Sequence, residues 1–569
     1  MSSTPPSPLR PVRARRLPLA GVLRPGKPSD IWFKPACSVV VATAIPNLTL
    51  LALGRLDLVM YTMAGSFCAL YAHNLPYAAR ARALAWVVLG MAASIAVALV
   101  TASLTGSAVV LVAVGAVLAA LQKTLCDATR IGPPGHLIFT FISSATLFAP
   151  QSIGQVPGHL ALTFAGGAVA WLVGMAPALL RPHGPERRAT ARALHAAAAY
   201  ADTARTDATG AAAERARSAA AGAVHAAWQS LLAAGSRTAA RRALARLVVR
   251  AEEALAMPGA ADTTALRGWA AGLRGTGAVP RPHDVRPGEE DELLGVDAEL
   301  AGPKVPLWRR LAPGSPLLPI ALRTAVGCAL AGYGSLALGI GRPYWALVTA
   351  ASLYQANVTL TWNRGVQRVV GNLVGVLAFA AIAPFAHLGH AELIVSCLLL
   401  AFGAEALMSR NYWMGSVCVT PMALLVTEFA RFQQPGELIL DRVVDTLVGA
   451  LLGIVAAVAV TNRRAGDQIE RAIGSAELAR ERAEAGLAGA GAVEPARRHL
   501  TAALVDLRAA ADAAAGEWWQ RALPEQRVVD AERAGHRTLA ATVRRQSGEN
   551  GQGTRPRERV ADAWEGARA

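Results

Sequence analysis

The chain has few charged residues and no recognisable catalytic or nucleotide-binding motif. Only 17% of its 569 residues are charged, whereas 53% are hydrophobic, and this balance excludes an ordinary soluble protein. No GxxxxGK[ST] segment is present, which excludes a P-loop ATPase site within the chain. The first thirty residues contain no continuous apolar core, so no cleaved signal peptide is expected. We therefore expect neither an enzyme nor a cofactor.

Metal ligands are also scarce. No HExxH pattern and no pair of CxxC motifs occurs. His387, His390 and Glu392 carry ligand-type side chains, but they fall in a predicted outer turn, and a solvated loop is the preferred interpretation. The six cysteines lie in or beside apolar segments, where small packing residues are expected: Cys37, Cys68, Cys126, Cys328, Cys397 and Cys418.

Apolar segments of membrane length are abundant. A helix needs about 20 residues to cross the ~30 Å hydrocarbon core. Twelve candidate segments form two sets of six: 36–53, 57–75, 83–103, 107–122, 136–150 and 160–180, then 317–340, 344–361, 369–386, 391–407, 412–429 and 441–461. They predict an all-α polytopic membrane protein with about twelve transmembrane helices in two six-helix halves.

The second half contains one sequence motif twice, here called the repeated motif. Arg342-Pro-Tyr-Trp345 opens one apolar stretch and Arg410-Asn-Tyr-Trp413 opens another. Arg368-Val-Val-Gly371 follows the first and Arg442-Val-Val-Asp445 follows the second. Corresponding segments are three spans apart, so they should cross the bilayer in opposite directions. Inverted repeats of this kind are common in secondary transporters. The two six-span halves also resemble each other faintly, as in a parallel duplication.

Basic residues in short loops predict the orientation. The even-numbered turns are basic, which by the positive-inside rule places them in the cytoplasm; they carry Arg80, Arg82, Lys123, Arg130, Arg364, Arg368 and Arg410. The opposite turns carry fewer basic residues, among them Arg55, Arg342 and Arg442. Both termini and the central soluble region of this multi-pass cell-membrane protein should then be cytoplasmic. The net charge of +17 is attributed to an anionic membrane face rather than to nucleic acid.

The predicted organisation alternates membrane and soluble parts. It comprises a basic N-terminal segment (1–33), a first membrane module (34–182), a central Ala-rich helical region with a linker (183–312), a second membrane module (313–463) and a C-terminal helical region with a disordered tail (464–569). The soluble regions should form small helical bundles beneath the membrane. The acidic run Glu289–Glu292 marks the linker, and Trp518-Trp519 offers an apolar anchor. Whether the chain is a homo-oligomer stays open.

Two residue patterns indicate packing and interface positions. Gly371-xxx-Gly375 and Gly449-xxx-Gly453 predict close approach of helix backbones. Four tryptophans fall at predicted span ends, where aromatic anchors are expected: Trp32, Trp345, Trp362 and Trp413.

Ionisable residues at membrane depth are costly and usually functional or paired. Glu405, Asp445 and Arg323 are the candidates for ion coupling. Each has a plain alternative. Glu405 is close enough in sequence to pair with Arg410, Asp445 is three positions from Arg442 and could form a same-face pair, and Arg323 could extend to the inner interface.

Polar and aromatic residues suggest a substrate path. Gln355, Asn357 and Asn372 fall in predicted spans, where amides either line a path or bond between helices. Arg342 beside Tyr344-Trp345 suits an anionic aromatic compound through ion pairing and cation–π stacking. An interfacial aromatic belt explains the same residues.

The segment from Arg342 to Gln355, continued by Arg364-Gly-Val-Gln-Arg368 and Gly371-Asn-Leu-Val-Gly375, resembles the FUSC family of fusaric-acid-resistance-like proteins and aromatic acid exporters. The resemblance is best over 325–460. It implies two six-span halves, each followed by a cytoplasmic region, and proton-driven efflux of small aromatic or acidic compounds. No site residues are carried over from the family. Two alternatives stay open: a non-transporting membrane scaffold with interaction bundles, and a translocator of envelope lipids or precursors.

Overall fold

The computed structural model describes most of the chain. The described residues are 19–28, 31–206, 210–235, 238–281, 315, 317–429, 432–460, 465–489, 493–515 and 524–552. The acidic run Glu289–Glu292 and the Trp518-Trp519 pair lie outside them.

Within the described residues, twelve apolar helices coincide with the predicted spans, in two groups of six. The first group is α1 (Phe33–Ala52), α2 (Leu56–Leu70), α3 (Tyr77–Leu104), α4 (Ala108–Thr129), α5 (Leu137–Leu147) and α6 (Ile153–Leu180). The second is α11 (Leu317–Ala337), α12 (Tyr344–Leu353), α13 (Val358–Ala386), α14 (His390–Met408), α15 (Tyr412–Val426) and α16 (Pro435–Ala459). The other α-helices of the described residues are α7 (Gly184–Thr206), α8 (Ala211–Ala234), α9 (Ala239–Ala256), α10 (Thr263–Gly272), α17 (Ala465–Leu487), α18 (Val493–Ala515) and α19 (Glu525–Gln552).

Eight of the twelve apolar helices are long and apolar enough to cross a membrane, and four are shorter. The long helices expose large apolar side chains, such as Trp86, Leu377 and Leu451, as lipid-facing helices do. The short ones are α2, α5, α12 and α15, the second and fifth helices of each group. All ten residues of α12 are buried. At 1.5 Å per residue, α12 is about 15 Å long, half the depth of the hydrocarbon core.

The predicted span 344–361 is wrong in its second part, because the helix breaks after Leu353. The chain from Tyr354 to Asn357 is not helical. Asn357 then caps α13, since its Oδ1 accepts a hydrogen bond of 2.8 Å from the backbone N–H of Leu360. An asparagine at this position starts a new helix by satisfying a free backbone N–H group. Gln355 and Asn357 therefore lie in a break between helices rather than inside a span.

The two groups of six pack by the same scheme. In the first group α2 packs on α6, α3 on α5 and α6, and α1 on α2 and α6; in the second, α12 packs on α16, α13 on α15 and α16, and α11 on α12 and α16. The groups meet where α1 contacts α14 and where α4 contacts α11. In each of these two contacts, the first helix of one group packs against the fourth helix of the other group. The short helices α5 and α12 also contact each other.

Helices α7–α10 and α17–α19 form two bundles that pack together. Each has its own apolar core, around Trp228 and Leu247 in α7–α10 and around Leu500 and Leu504 in α17–α19. Glu252 of α9 joins them, because it accepts a 2.8 Å hydrogen bond from the Trp228 indole and pairs with the Arg497 guanidinium of α18 at 3.0 Å. We use the term bundle side for the end of the membrane helices that lies next to these two bundles.

Candidate functional site

Glycines bring the short helices of the second module against the long ones. A Cβ on Gly449 of α16 would lie 2.4 Å from the carbonyl oxygen of Ala346 in α12. A Cβ on Gly371 of α13 would lie 2.7 Å from the carbonyl oxygen of Trp413 in α15, and one on Gly375 would lie 2.7 Å from Cβ of Thr420. Only glycine permits such contacts, so these glycines serve close backbone packing.

A buried arginine lies at the contact of α16 with α12. Arg442 is 1% exposed, and its guanidinium carbon lies 4.0 Å from the ring centroid of Trp345, which is also 1% exposed. Nε and Nη1 of Arg442 have no hydrogen-bond partner among the described residues. The predictions that Arg442 is a turn residue and that Trp345 is an interfacial anchor are therefore wrong. Both side chains belong to the interior of the membrane module.

Asp445 lies one turn from Arg442 but does not pair with it. The Asp445 side chain is fully buried, and its Oδ1 accepts a 2.6 Å hydrogen bond from the Ser335 hydroxyl of α11. Its Oδ2 has no hydrogen-bond partner within the described parts of the chain. The predicted same-face pair is absent there, because Arg442 is directed onto the indole. A buried carboxylate and a buried guanidinium thus lie near each other, each with unused hydrogen-bonding atoms.

Asn372 links three helices by hydrogen bonds close to Arg442. Its Oδ1 accepts a 2.5 Å hydrogen bond from the Thr420 hydroxyl, and its Nδ2 donates to the Thr446 hydroxyl at 2.9 Å. Thr446 in turn donates to the Arg442 carbonyl oxygen at 2.7 Å. Of the two interpretations of Asn372, these contacts match the bond between helices. Its contribution to the site is to fix α13, α15 and α16 relative to one another.

A related contact involves the aromatic pair in the second copy of the repeated motif. Arg368 of α13 is 6% exposed, and its Nη1 donates to the Tyr412 hydroxyl of α15 at 3.2 Å. Arg364 lies over the same ring, 4.0 Å from its centroid. The arginine of each copy thus contacts the aromatic pair of the other copy. Arg368, like Arg442, was predicted as a turn charge, and that prediction is wrong.

The aromatic pair of α12 continues into the first module. The Tyr344 and Trp345 ring centroids are 4.8 Å apart. Phe141 lies 5.8 Å from Trp345, and Phe148 lies 5.8 Å from Tyr344. Arg342 stays at the end of the helix, bonded to the Gln433 side chain and 4.0 Å from Asp441. Arg342 and the Tyr344-Trp345 pair are therefore not grouped as predicted. The arginine is partly exposed, whereas the two aromatic residues belong to a buried cluster.

The remaining predicted site residues lie elsewhere. Arg323 is 1% exposed and its Nε donates to the Val460 carbonyl oxygen at 2.9 Å, so it caps the end of α16 instead of extending to the interface. Glu405 is half-buried in α14, and no ion pair joins it to Arg410 among the described residues. Gln355 bonds within its own loop, and the Asn357 amide donates to the Asp512 carbonyl oxygen of α18 at 3.4 Å.

An open cleft of about 550 Å³ lies in the first module, between the α1–α2 and α5–α6 connections. Tyr61 and His159 stack in it with centroids 3.7 Å apart, and Gln151 bonds to the Tyr61 hydroxyl. No pattern in the sequence predicts this cleft. The stacked pair joins α2 to α6, whose meeting in space has no local sequence signal.

The helices and their lipid-facing surface define a multi-pass α-helical membrane protein. Within it, residues 327–456 match the fusaric acid resistance protein-like family, which confirms the resemblance. Over 469 residues the chain is 25% identical to the uncharacterised membrane protein YvaC of Bacillus subtilis (strain 168), covering 74% of this chain and 72% of the relative. A 138-residue stretch is 27% identical to the uncharacterised protein YhfK of Escherichia coli (strain K12), covering 24% of this chain and 19% of the relative. No solved structure matches.

Proposed function

We propose that the protein is a secondary transporter that exports small aromatic or amphipathic organic acids, driven by the proton gradient. The observation that carries the proposal is the buried Arg442 guanidinium above the Trp345 indole, with the Asp445 carboxylate one turn away. A buried charge without a full set of partners is strongly unfavourable unless it serves a function or finds a counter-ion.

The chemistry of Arg442 and Trp345 supports an aromatic acid as the substrate. A guanidinium donates charge-assisted N–H hydrogen bonds to a carboxylate, and Arg442 keeps Nε and Nη1 without a described partner. The indole, with Tyr344 and Phe141 beside it, offers aromatic faces for stacking. A small molecule with one ring and one carboxylate satisfies both surfaces at once.

The proposed proton carriers are Asp445 and Glu405. Both are carboxylates on helices of the second module. Asp445 keeps one carboxylate oxygen without a described partner, and Glu405 forms no described ion pair. A carboxylate at membrane depth that is not neutralised by a fixed cation can gain and lose a proton during a transport cycle. We propose that these two groups couple proton entry to the exit of the organic anion.

The arrangement of short helices supports alternating access. Short apolar segments at corresponding positions of repeated halves are typical of transporter binding sites. Here α12 and α15 are both short, both begin within a copy of the repeated motif, and each packs on a glycine-containing long helix. The matched packing of the two six-helix groups further supports repeat symmetry. We propose the twelve-span arrangement with inverted repeats, and with both termini in the cytoplasm, on these grounds.

The test is uptake of labelled aromatic carboxylates into inside-out vesicles that contain the purified protein. We expect accumulation that depends on an imposed pH gradient and disappears with an uncoupler. The variant Arg442→Gln should lose transport by about two orders of magnitude, because removing one partner of a buried charge contact costs about 2–5 kcal/mol.

The control variant Arg410→Gln removes an exposed arginine of the same module and should transport normally. Absence of accumulation for every aromatic acid in a broad panel would refute the exporter and favour the scaffold. Equal loss in both variants would refute the assignment of Arg442.

A further inference from the structure

A second charged site lies where the first membrane module meets the central bundle. A cleft of about 510 Å³ is enclosed by the bundle-side ends of α1 and α6, the start of α7 and the chain after α10. Of the 17 described residues that line it, eight are Lys, Arg or His and none is Asp or Glu. The membrane module contributes Lys34 and Arg181, and the bundle contributes Arg188 and Arg192.

The carboxylate nearest in sequence is Glu186, which is fully buried and is not part of the lining. It pairs with Arg241 of α9 at 3.2 Å and lies 3.9 Å from Nδ1 of His183 in the cleft wall. Lys34 therefore lies in the field of other cations, among them Arg188 and Arg181. Like charges confined in one cleft repel, and an anion that binds between them relieves the repulsion.

Arg187 builds a wall of the cleft. Its Nη1 donates to the Gly277 carbonyl oxygen at 2.8 Å, and Nε and Nη2 donate to the carbonyl oxygens of Leu273 and Gly272. These bonds hold the chain after α10 in place, so that Arg274 lies at the cleft with its Nη2 2.9 Å from Nε2 of His195. The cationic lining is thus fixed by the fold of the bundle.

The cleft adjoins the ends of two helices that are long and apolar enough to cross a membrane. Lys34 lies in the first turn of α1, and Arg181 directly follows α6. At its rim Phe33 is 46% exposed and Leu180 is 83% exposed. Apolar side chains exposed at the end of a spanning helix face acyl chains, while the basic cleft next to them faces the phosphate layer.

We propose that this cleft binds a phosphate-bearing anion, and that an acidic phospholipid headgroup is its source. Arginine forks bind phosphate oxygens in pairs, and basic pockets beside spanning helices bind lipid headgroups in this way. Because the cations come from both the membrane module and the bundle, the bound headgroup holds the bundle against the membrane module. The site is separate from Arg442 and independent of the proposed transport.

The test measures lipid binding to the full-length protein in a neutral detergent by native mass spectrometry and thermal unfolding. The probes are phosphatidylglycerol, phosphatidylcholine and inorganic pyrophosphate. We expect phosphatidylglycerol to bind and to raise the unfolding temperature. The double variant Lys34→Gln/Arg181→Gln should bind it roughly 25-fold more weakly, since each Lys or Arg near an anionic headgroup strengthens binding roughly fivefold. The matched control, Arg82→Gln/Arg410→Gln, removes two exposed arginines outside the cleft and should bind as the wild type does.

Equal binding of phosphatidylcholine, or unchanged phosphatidylglycerol binding by the double variant, would overturn the proposal. Pyrophosphate binding that is lost in the double variant would support the anion site and assign its source to solution. Should the double variant fail to fold, Arg188→Gln alone gives the same readout from the bundle wall.

Discussion

The guanidinium of Arg442 lies over the indole of Trp345 at 4.0 Å instead of against Asp445 on its own helix. Arg442 and Trp345 come from different copies of the repeated motif, and their contact fixes α16 on α12. A cation–π contact of this kind contributes about 0.5–2 kcal/mol, more when the pair is desolvated. It orients the cation without neutralising it. The charge of Arg442 thus remains available to an anionic ligand.

Replacing Trp345 tests the selectivity of the proposed site. In Trp345→Leu the aromatic face is lost while the apolar volume is partly kept. We expect the variant to transport aromatic acids several-fold less well, with aliphatic acids of similar size less affected, because stacking contributes about 1 kcal/mol. Competition between labelled and unlabelled acids in vesicles measures this ratio. An unchanged ratio would place the aromatic specificity elsewhere.

Replacing Asp445 tests the coupling. Asp445→Asn keeps the shape and the bond from Ser335 but cannot ionise. We expect transport that no longer responds to the pH gradient, measured as substrate flux with and without an imposed gradient. Ser335→Ala is the matched control, since it removes the neighbouring 2.6 Å hydrogen bond and leaves the carboxylate. Full gradient dependence in Asp445→Asn would leave Glu405 as the remaining proposed carrier.

Gly449 should tolerate no side chain. In Gly449→Ala the new Cβ meets backbone at 2.4 Å, so α16 must move away from α12. Overpacking of this kind typically costs about 1–3 kcal/mol. Thermal unfolding in detergent should show a lower midpoint than in the wild type. The variant Gly474→Ala places a methyl group in open space on α17 and should leave the midpoint unchanged or slightly raised. Equal midpoints for both variants would contradict the packing described here.

His536 should make the C-terminal bundle sensitive to acid. Burial, together with the nearby guanidiniums of Arg217 and Arg508, lowers its pKa from 6.5 to about 3. The unfolded state then binds the proton more readily than the folded state, so stability is full above pH 6.5 and falls as the pH drops from 6.5 towards 3. Glu532 acts oppositely, because burial raises its pKa.

The comparison with His536→Gln isolates the histidine. Hydrogen exchange of α19, corrected for intrinsic rates, should show a smaller loss of protection between pH 7.5 and 5 in this variant than in the wild type. His499→Gln, at an exposed position of α18, is the control and should behave as the wild type. An identical loss in all three proteins would remove His536 from the effect.

Cysteine labelling tests the proposed orientation. Gly154 and Gly259 are both exposed with open space around them, and they lie on opposite sides in the predicted topology. With the native cysteines replaced by alanine, Gly154→Cys should react with an impermeant maleimide in intact cells. Gly259→Cys should react only after the membrane is opened. The reverse pattern would invert the orientation, and labelling of both in intact cells would contradict it.

Helix positions could be predicted from the sequence because long apolar runs have few alternatives in a membrane. The surroundings of the site residues are harder to predict from the sequence. The sequence indicates Trp345 and Asp445 as site candidates but predicts Arg442 and Arg368 to be turn residues, since a basic residue near the end of a span has the same sequence context whether it faces water or the interior. The break at Tyr354–Asn357 was missed because no glycine or proline marks it. Asn357, which precedes a new apolar run, was the available signal.

The burial of α12 has a consequence for how the chain is made. A ten-residue helix with no lipid-facing side cannot be held in the bilayer by its own hydrophobic surface. Its packing surfaces are supplied by α4 and α5 of the first module and by α11, α13 and α16 of the second, and α16 is synthesised about eighty residues later than α12. The second module therefore completes only when its last helix leaves the ribosome. Chains interrupted before Pro435 would present an unfinished helix to the proteases that survey newly made membrane proteins.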